Sequence, residues 1–245
     1  MLFNNTLDKL NQLKLHGFAK ALQDQMANSS VMSLSFEDRL SLLVDYEQSY
    51  RDNIRLERLL KAAKLKSVGA CIEDIDYSVS RGLDKSTVSN LISSDWVAKG
   101  FNLIITGPTG TGKTWLGCAF GNQACRKGYT VQFTRVPLLL EELHIAHGDG
   151  SYKRKLMQLA KVDLLILDDF GISTINLESR NDLLEIIDAR TSSKSTLITS
   201  QLPVDKWHDY LSLGNPTVAD AIMDRLLSDE TRLTLSGESM RRIKR

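Results

Sequence analysis

A glycine-rich stretch of eight residues has the composition and spacing of a phosphate-binding loop. It fits the pattern G-x-x-x-x-G-K-[ST] at every fixed position, and its residues are Gly107, Pro108, Thr109, Gly110, Thr111, Gly112, Lys113 and Thr114. The glycines let the backbone curl so that its N–H groups face phosphate oxygens. Lys113 can reach the β- and γ-phosphates, and the Thr114 hydroxyl can ligate Mg²⁺. The stretch therefore predicts a binding site for ATP and Mg²⁺.

Two adjacent carboxylates form the second candidate group, because they follow directly on the apolar run Leu-Leu-Ile-Leu at positions 164–167. A carboxylate at the end of a buried strand, near a phosphate loop, is suited to hold Mg²⁺, and this predicts that role for Asp168. Its neighbour Asp169 could orient the attacking water. A further apolar run leads to Gln201, where open α/β sheets bind ligands. Gln201 could contact the γ-phosphate, although an ordinary strand end is the alternative.

Short apolar runs alternate with helical segments from residue 101 onward. The runs predict strands at 102–106, 130–134, 164–167, 196–199 and 231–235. Short, almost wholly apolar strands that alternate with helices imply a parallel sheet covered on both faces. The phosphate loop follows the first strand and opens a helix, whose positive end favours bound phosphate. We expect an α/β fold with a P-loop NTPase core.

The amino-terminal part of the chain, residues 1–66, is predicted to form a small all-helical domain. Thr6 is a candidate cap for a first helix, and Gly17 marks a break or bend. The pattern Ser35-x-x-Asp38 is typical of a capping box, which would open a long helix running to about Lys66. This domain is a candidate for DNA or partner binding.

The remaining residues, 67–245, are assigned to the ATPase domain. Its first part, 67–101, contains three glycines and several serines, and a helix is predicted around Lys85–Ser93. We interpret this part as a linker that leads into the first strand. The boundary between the domains is accordingly predicted at residues 66 and 67.

Cysteine and histidine patterns predict neither disulfides nor a metal site. The three cysteines, Cys71, Cys118 and Cys125, form no C-x-x-C pair, which is typical of buried thiols in a reducing compartment. His144 and His147 lie three residues apart on a predicted helix, but no third ligand follows at a suitable spacing. No apolar run approaches the roughly 20 residues of a membrane span. We therefore expect a cytoplasmic protein without membrane contact.

The motifs resemble those of the IstB-type ATPases, the transposition helpers encoded beside a transposase in certain bacterial insertion sequences. The resemblance covers nearly the whole chain and rests on the stretches 14–17, 107–114, 164–171, 199–203, 219–226 and 236–242. This group is similar to the replicative helicase loaders of the DnaC type, which share the AAA+ core. The resemblance therefore implies an AAA+ fold.

The resemblance also implies a role for individual side chains around bound ATP. The residues that match nucleotide and Mg²⁺ ligands are Lys113, Thr114, Asp168 and the sensor-2 arginine, Arg241. The residues that match the hydrolytic machinery are Asp169, Gln201 at the sensor-1 position, and Arg225, the arginine finger that would act on a neighbouring subunit's ATP. Asp169 stands where AAA+ proteins usually have Glu, so turnover is expected to be slow. Without the resemblance, Arg225 beside Asp220 and Asp224 reads as an exposed ion-pair residue.

Two basic clusters are candidate DNA contacts. The first, spaced i, i+4 and i+7 on one helix face, contains Arg51, Arg55 and Arg58. The second follows the loop 147–151 and contains Lys153, Arg154 and Lys155. Basic stripes of this kind can track phosphates, although solvated helices with local ion pairs are the alternative. Since no sequence-reading motif stands out, we expect backbone and shape recognition.

These expectations combine into one functional hypothesis. The protein would be an ATP-dependent regulator of transposition that assembles as a homo-oligomer on target duplex DNA. It would engage the transposase of the same insertion sequence, and hydrolysis would release it. The alternatives are a DnaC-type helicase loader, a small-molecule P-loop kinase, and a passive DNA-coating protein that binds ATP without hydrolysing it. The carboxylate pair and Arg225 disfavour the kinase.

Overall fold

The computed structural model describes residues 2–212 and 214–240, so that Arg241 lies outside the described residues. The chain divides into two compact units, Met1–Arg58 and Leu59–Arg245. The division falls within a long helix, and the assignment of 1–66 and 67–245 to separate domains stays a prediction. No described helix is both long enough and apolar enough to cross a membrane.

The first unit is built from helices. They are α1 (Leu2–Gln12), α2 (His16–Ala27), α3 (Ser29–Met32) and α4 (Phe36–Ala63), whose last residues belong to the second unit. The predicted cap of the long helix is confirmed, because the Asp38 amide donates to Ser35 Oγ at 3.1 Å and the Ser35 hydroxyl donates to the Asp38 carboxylate at 2.8 Å. The predicted cap at Thr6 is wrong, since Thr6 lies inside α1.

Gly17 has a packing role in place of the predicted break. It lies within α2, and the chain instead turns at Lys14, whose φ is +60°. A Cβ atom at position 17 would lie 2.6 Å from the Tyr50 Cβ of α4. Only glycine therefore lets α2 approach α4 this closely. The contact is completed by Glu47, whose carboxylate accepts a hydrogen bond from the Phe18 amide at 2.8 Å.

The second unit alternates strands and helices as the sequence predicts. In chain order they are α5 (Lys85–Ile92), α6 (Asp95–Ala98), β1 (Asn102–Thr106), α7 (Lys113–Arg126), β2 (Val131–Arg135), α8 (Val136–Asp149), α9 (Tyr152–Lys161), β3 (Leu164–Phe170), α10 (Leu177–Asp188), β4 (Ser195–Ser200), α11 (Trp207–Ser212), α12 (Pro216–Leu227) and β5 (Glu230–Thr234), with 3-10 turns at Ile72–Asp74 and Val204–Lys206. All five predicted strands are present, with β3 three residues longer than expected.

The five strands form one parallel sheet in the order β2-β3-β4-β1-β5. The three central strands are buried along almost their whole length, and each has an apolar run at its centre or its start. Helices cover both faces of a sheet of this kind, because neither face meets water. The order places the carboxyl ends of β3, β4 and β1 side by side, and this edge carries the candidate site.

The segment interpreted as a linker is folded against the core. Ala70, Ile72 and Ile75 are each less than one-tenth exposed, and the Gln123 side chain of α7 donates to the Ile92 carbonyl at 3.0 Å. The segment also reaches the sheet, where Ser195 Oγ donates to a carbonyl of α6 at 3.1 Å. Residues 67–101 therefore form part of the wall around the ATPase core.

Candidate nucleotide-binding site

The phosphate loop joins β1 to α7 at the carboxyl edge of the sheet. Thr106, the last residue of β1, is paired with Ser200 at the end of β4. At Gly107, where φ is +147°, a Cβ atom would lie 2.5 Å from the Leu235 carbonyl oxygen. A side chain is therefore excluded here, and the loop turns tightly into the amino end of α7.

Lys113 is folded back onto the loop that carries it. Its ammonium donates to the carbonyls of Gly107 at 2.7 Å and Pro108 at 2.8 Å. The residue is 8% exposed, and burial lowers the pKa of the ammonium, although Asp169 and Asp168 oppose that shift. Because the two carbonyls only partly replace the lost hydration, and no described carboxylate forms an ion pair with Lys113, a phosphate would give this buried cation a direct anionic partner.

Asp168, near the end of β3, is fully buried and lies at the centre of a small polar cluster. One carboxylate oxygen, Oδ1, accepts hydrogen bonds from Thr114 at 2.7 Å and from Thr199 at 2.5 Å. The other, Oδ2, is buried and has no hydrogen-bond partner among the described residues. A buried carboxylate oxygen without a partner is costly, and a hydrated divalent cation would satisfy it. Thr114 and Asp168 therefore fit Mg²⁺ by their chemistry.

Asp169 points in another direction from Asp168 because its backbone is left-handed, with φ at +60°. The pairing of β3 with β4 is interrupted between Leu167 and Phe170, which accommodates this conformation. The Asp169 amide donates to Thr199 Oγ1 at 3.3 Å, and the Asp169 Oδ2 atom accepts from Arg135 Nε at 2.9 Å. One oxygen of the proposed hydrolytic carboxylate is therefore held by Arg135, at the end of β2.

Gln201 follows β4 and contacts the phosphate loop directly. Its Oε1 atom accepts a hydrogen bond from Thr109 Oγ1 at 2.5 Å. This contact links the end of β4 to the loop at the place where a γ-phosphate would lie. The geometry suits a residue that senses the phosphate, and that role stays a prediction.

A cavity of about 390 Å³ opens beside the phosphate loop. Asp169 and Gln201 are among its lining residues. The lining also includes residues that the sequence analysis did not assign to the site, among them Lys66, Ser67, Asp74, Asp76, Arg81 and Met240. Its size and polar lining suit a nucleotide base and sugar next to a phosphate-binding loop.

Arg81 is the buried cation that the sequence analysis missed. It is 4% exposed, and its Nη1 atom donates to the Thr111 carbonyl of the phosphate loop at 3.2 Å. Its Nε atom is buried without a hydrogen-bond partner within residues 2–212 and 214–240. Burial lowers the pKa of the guanidinium, while Asp76 and Tyr77 oppose the shift. No motif surrounds Arg81, so only the fold shows that it lies against the loop.

Arg225 lies at the opposite edge of the sheet from the phosphate loop. Its backbone carbonyl accepts a hydrogen bond at 3.2 Å from Asn102, the first residue of β1, whereas the loop follows the last residue of that strand. The guanidinium pairs with Asp188 at 2.6 Å and donates to the Ala221 carbonyl at 2.9 Å. The structure therefore does not bring Arg225 to the phosphate site of its own chain. Arg241, assigned to sensor 2, lies outside the described residues.

The basic clusters differ in how far their charges are engaged. In the first unit, Arg51 pairs with Glu47 at 2.5 Å and donates to the Lys14 carbonyl at 3.3 Å. Arg55 and Arg58 are exposed on α4. The long helix that was predicted to run to about Lys66 ends at Ala63.

In the second unit, Lys153 and Arg154 are exposed at the start of α9, while Lys155 is ion-paired with Glu142. We call Lys153, Arg154 and Lys155 the α9 cluster. Two of its cations are exposed and the third is held in an ion pair. Their contact with DNA stays a prediction.

Comparison with known proteins shows which protein family the chain belongs to. The model of the family described as IstB-like ATP binding protein matches residues 8–245. The chain is 54% identical over 203 residues to the ATP-binding protein assigned to insertion sequence IS1162 of Pseudomonas fluorescens, covering 83% of this chain and 88% of that protein. It is 47% identical to an insertion sequence ATP-binding protein of Sinorhizobium fredii, covering 100% of this chain and 99% of the relative.

Among solved structures, the chain resembles the DnaC helicase loader, with a TM-score of 0.54 at 22% identity over 68% of this chain and 96% of the other. This likeness shows the fold alone and confirms the AAA+ P-loop core. The matched stretch of the family includes both the loop that ends in Lys113 and the buried carboxylate of Asp168. The chain therefore belongs to the family of IstB-like ATP-binding proteins of insertion sequences.

Proposed function

We propose that this protein is an ATP-hydrolysing regulator of transposition. It assembles on target duplex DNA in the ATP state, engages the transposase of its insertion sequence, and leaves after hydrolysis. The observation that carries the proposal is the polar cluster of Asp168, Thr114 and Thr199 beside the buried Lys113, in a family named for insertion sequences. Such a cluster is suited to hold a nucleotide triphosphate with its metal ion.

Each residue of the site has a distinct part in the proposed reaction. Lys113 and the loop amides bind the β- and γ-phosphates, and Thr114 and Asp168 hold Mg²⁺. The bound ion would neutralise the charge that develops on the phosphates. Asp169 accepts a hydrogen bond from the attacking water through an oxygen not engaged by Arg135, and Gln201 contacts the γ-phosphate from the side of Thr109. Arg81, which lies against the phosphate loop, would place a positive charge beside the nucleotide.

Hydrolysis in this proposal depends on assembly. Arg225 lies at the opposite edge of the sheet from its own phosphate loop, so as an arginine finger it would act on the ATP of a neighbouring subunit. An arginine supplied in trans stabilises charge on the transferred phosphoryl group. The Asp188 ion pair would hold the guanidinium until a neighbour arrives. ATP bound at the subunit interface would thus favour the oligomer, and hydrolysis of that ATP would limit how long the oligomer persists.

The α9 cluster provides a direct prediction for DNA binding. The double variant Lys153→Ala/Arg154→Ala should weaken duplex binding and lower the slope of log Kobs against log salt by about 1 for each lost phosphate contact. Fluorescence anisotropy with a labelled duplex at several salt concentrations measures this slope. Lys155→Ala is the matched control, because that ammonium already pairs with Glu142 and its loss should leave the slope nearly unchanged. Equal effects of both variants would contradict the assignment.

The test of the proposed function combines DNA binding with assembly size. We expect wild-type protein with ATP to form a large complex on duplex DNA, whereas ADP, or no nucleotide, should give small and weakly bound species. Lys113→Ala should fail to assemble even with ATP. Anisotropy and light scattering on duplex and single-stranded DNA provide the measurement. Duplex binding that ignores the nucleotide would contradict the proposal.

A helicase loader is the second candidate, because the fold resembles that of the DnaC helicase loader. A loader would prefer single-stranded DNA and would retain a replicative helicase. Capture of purified transposase and purified helicase by the ATP-bound protein distinguishes the two functions. Retention of the helicase alone would replace the transposition proposal with the loader.

A further inference from the structure

Two histidines and two carboxylates meet between α8 and α10, and none of the four is among the described residues that line the nucleotide cavity. His144 and His147 are three residues apart on α8, while Glu178 and Asp182 are four apart on α10. Each helix thus presents its pair on one face. The ligand atoms of His147, Glu178 and Asp182 all lie within 4.8 Å of one another.

The distances between ligand atoms suit a tetrahedral ion. His147 Nε2 lies 2.9 Å from Asp182 Oδ1 and 3.8 Å from Glu178 Oε1. His144 Nδ1 lies 3.5 Å from the same Glu178 oxygen. Ligands about 2.0–2.1 Å from a tetrahedral Zn²⁺ are separated by about 3.3 Å. The two separations from the Glu178 oxygen lie above that value and the His147–Asp182 separation lies below it. Since His144 is not part of the group that lies within 4.8 Å, its side chain would have to rotate toward the ion to become the fourth ligand.

We propose that His144, His147, Glu178 and Asp182 form a binding site for one Zn²⁺ ion. Two imidazoles with two carboxylates favour zinc over Mg²⁺ or Ca²⁺, which prefer ligand sets made of oxygen alone. The two carboxylates balance the charge of the ion. The Asp182 side chain is only 6% exposed, whereas the His144 side chain is 72% exposed, so the site is closed on the protein side and open for metal entry from solvent.

The site is connected to the α9 cluster through Tyr152. The ring of His147 stacks on the ring of Tyr152, with centroids 4.0 Å apart and an interplanar angle of 19°. The Tyr152 hydroxyl donates to Glu185 of α10 at 2.8 Å. Because Tyr152 is the first residue of α9, an ion on His147 would fix the turn that precedes Lys153 and Arg154. The zinc site therefore has a structural role in presenting these two cations.

The first experiment is calorimetric titration of the chelator-treated full chain with Zn²⁺ alone. We expect one ion per chain, and we expect His144→Gln and Asp182→Asn each to weaken binding by about tenfold or more. His208→Gln is the matched control, because His208 pairs with only one carboxylate, Asp220, at 3.1 Å among the described residues. Cys71→Ser controls for zinc held by the partly exposed thiol, and both controls should bind like wild type.

A spectroscopic measurement keeps the test independent of variant stability. Titration with Co²⁺ should give the visible absorption of a tetrahedral complex, and zinc should displace it. Zinc should also slow hydrogen exchange of the backbone amides in 148–153. Because His144 is exposed, its substitution should not affect folding, and far-UV circular dichroism checks Asp182→Asn. Lack of saturable binding, or unchanged affinity in His144→Gln and a folded Asp182→Asn, would overturn the proposal.

Discussion

Replacing Asp169 by asparagine is expected to stop ATP hydrolysis while leaving ATP binding intact. In the proposed reaction, the change removes the carboxylate that would accept a hydrogen bond from the attacking water, so we expect a loss of about 100-fold or more in turnover. Asparagine has the same shape and also tolerates the left-handed backbone at this position, so the site should keep its structure. Phosphate release at saturating ATP and DNA measures turnover, and a fluorescent ATP analogue measures binding.

Arg135→Gln is the control variant for Asp169→Asn. It leaves the carboxylate in place but removes the ion pair at 2.9 Å. We expect hydrolysis to persist or increase, because both oxygens of Asp169 are then available to water. Turnover of Asp169→Asn at the wild-type rate would mean that another group positions the water. If wild-type protein releases no phosphate in any assembly, the passive DNA-coating alternative is the correct function.

Replacing Arg225 by alanine is expected to remove assembly-dependent hydrolysis without affecting nucleotide binding by the isolated chain. An arginine finger accounts for rate factors on the order of 10³ or more. Phosphate release measured against protein concentration shows the effect, because wild-type turnover per subunit should rise as oligomers form and that of the variant should not.

Asp188→Ala separates a finger from an ion-pair residue. It removes the partner carboxylate of Arg225 but keeps the guanidinium. If Arg225 only stabilises the fold, the two variants should behave alike; if it acts in trans, only Arg225→Ala loses hydrolysis. Mixing Arg225→Ala with Asp169→Asn subunits should restore part of the activity, since one provides an intact site and the other an intact finger. Lack of recovery would contradict action in trans.

The fold could be predicted from the sequence because its strands, its helices and the phosphate-loop motif have local patterns. The motif that ends in Lys113 and Thr114 has fixed spacing, and the central strands are buried on both faces, so their composition identifies them. The parallel sheet then brings the carboxylates to the loop by topology alone. These features require no knowledge of distant side-chain contacts.

Features that depend on contacts distant in sequence could not be predicted. Arg81 lies against Thr111 across thirty positions, and Arg135 holds Asp169 across thirty-four. The two histidines of α8 have no third ligand at a suitable spacing in the sequence, and the carboxylates that approach them come from α10. In the same way, the sequence alone does not distinguish Lys155 from its basic neighbours, because its ion-pair partner Glu142 lies on another helix.

The left-handed backbone at Asp169 also limits how this protein can evolve. Longer side chains without a short polar head pay about 1–2 kcal/mol in that conformation, which is a sizeable share of the marginal stability of a typical domain. The mutation Asp169→Glu, which would lengthen the carboxylate, therefore becomes accessible only after stabilising changes have accumulated elsewhere. The backbone conformation at position 169 therefore favours inheritance of the shorter acid, and any effect of that acid on turnover would be inherited with it.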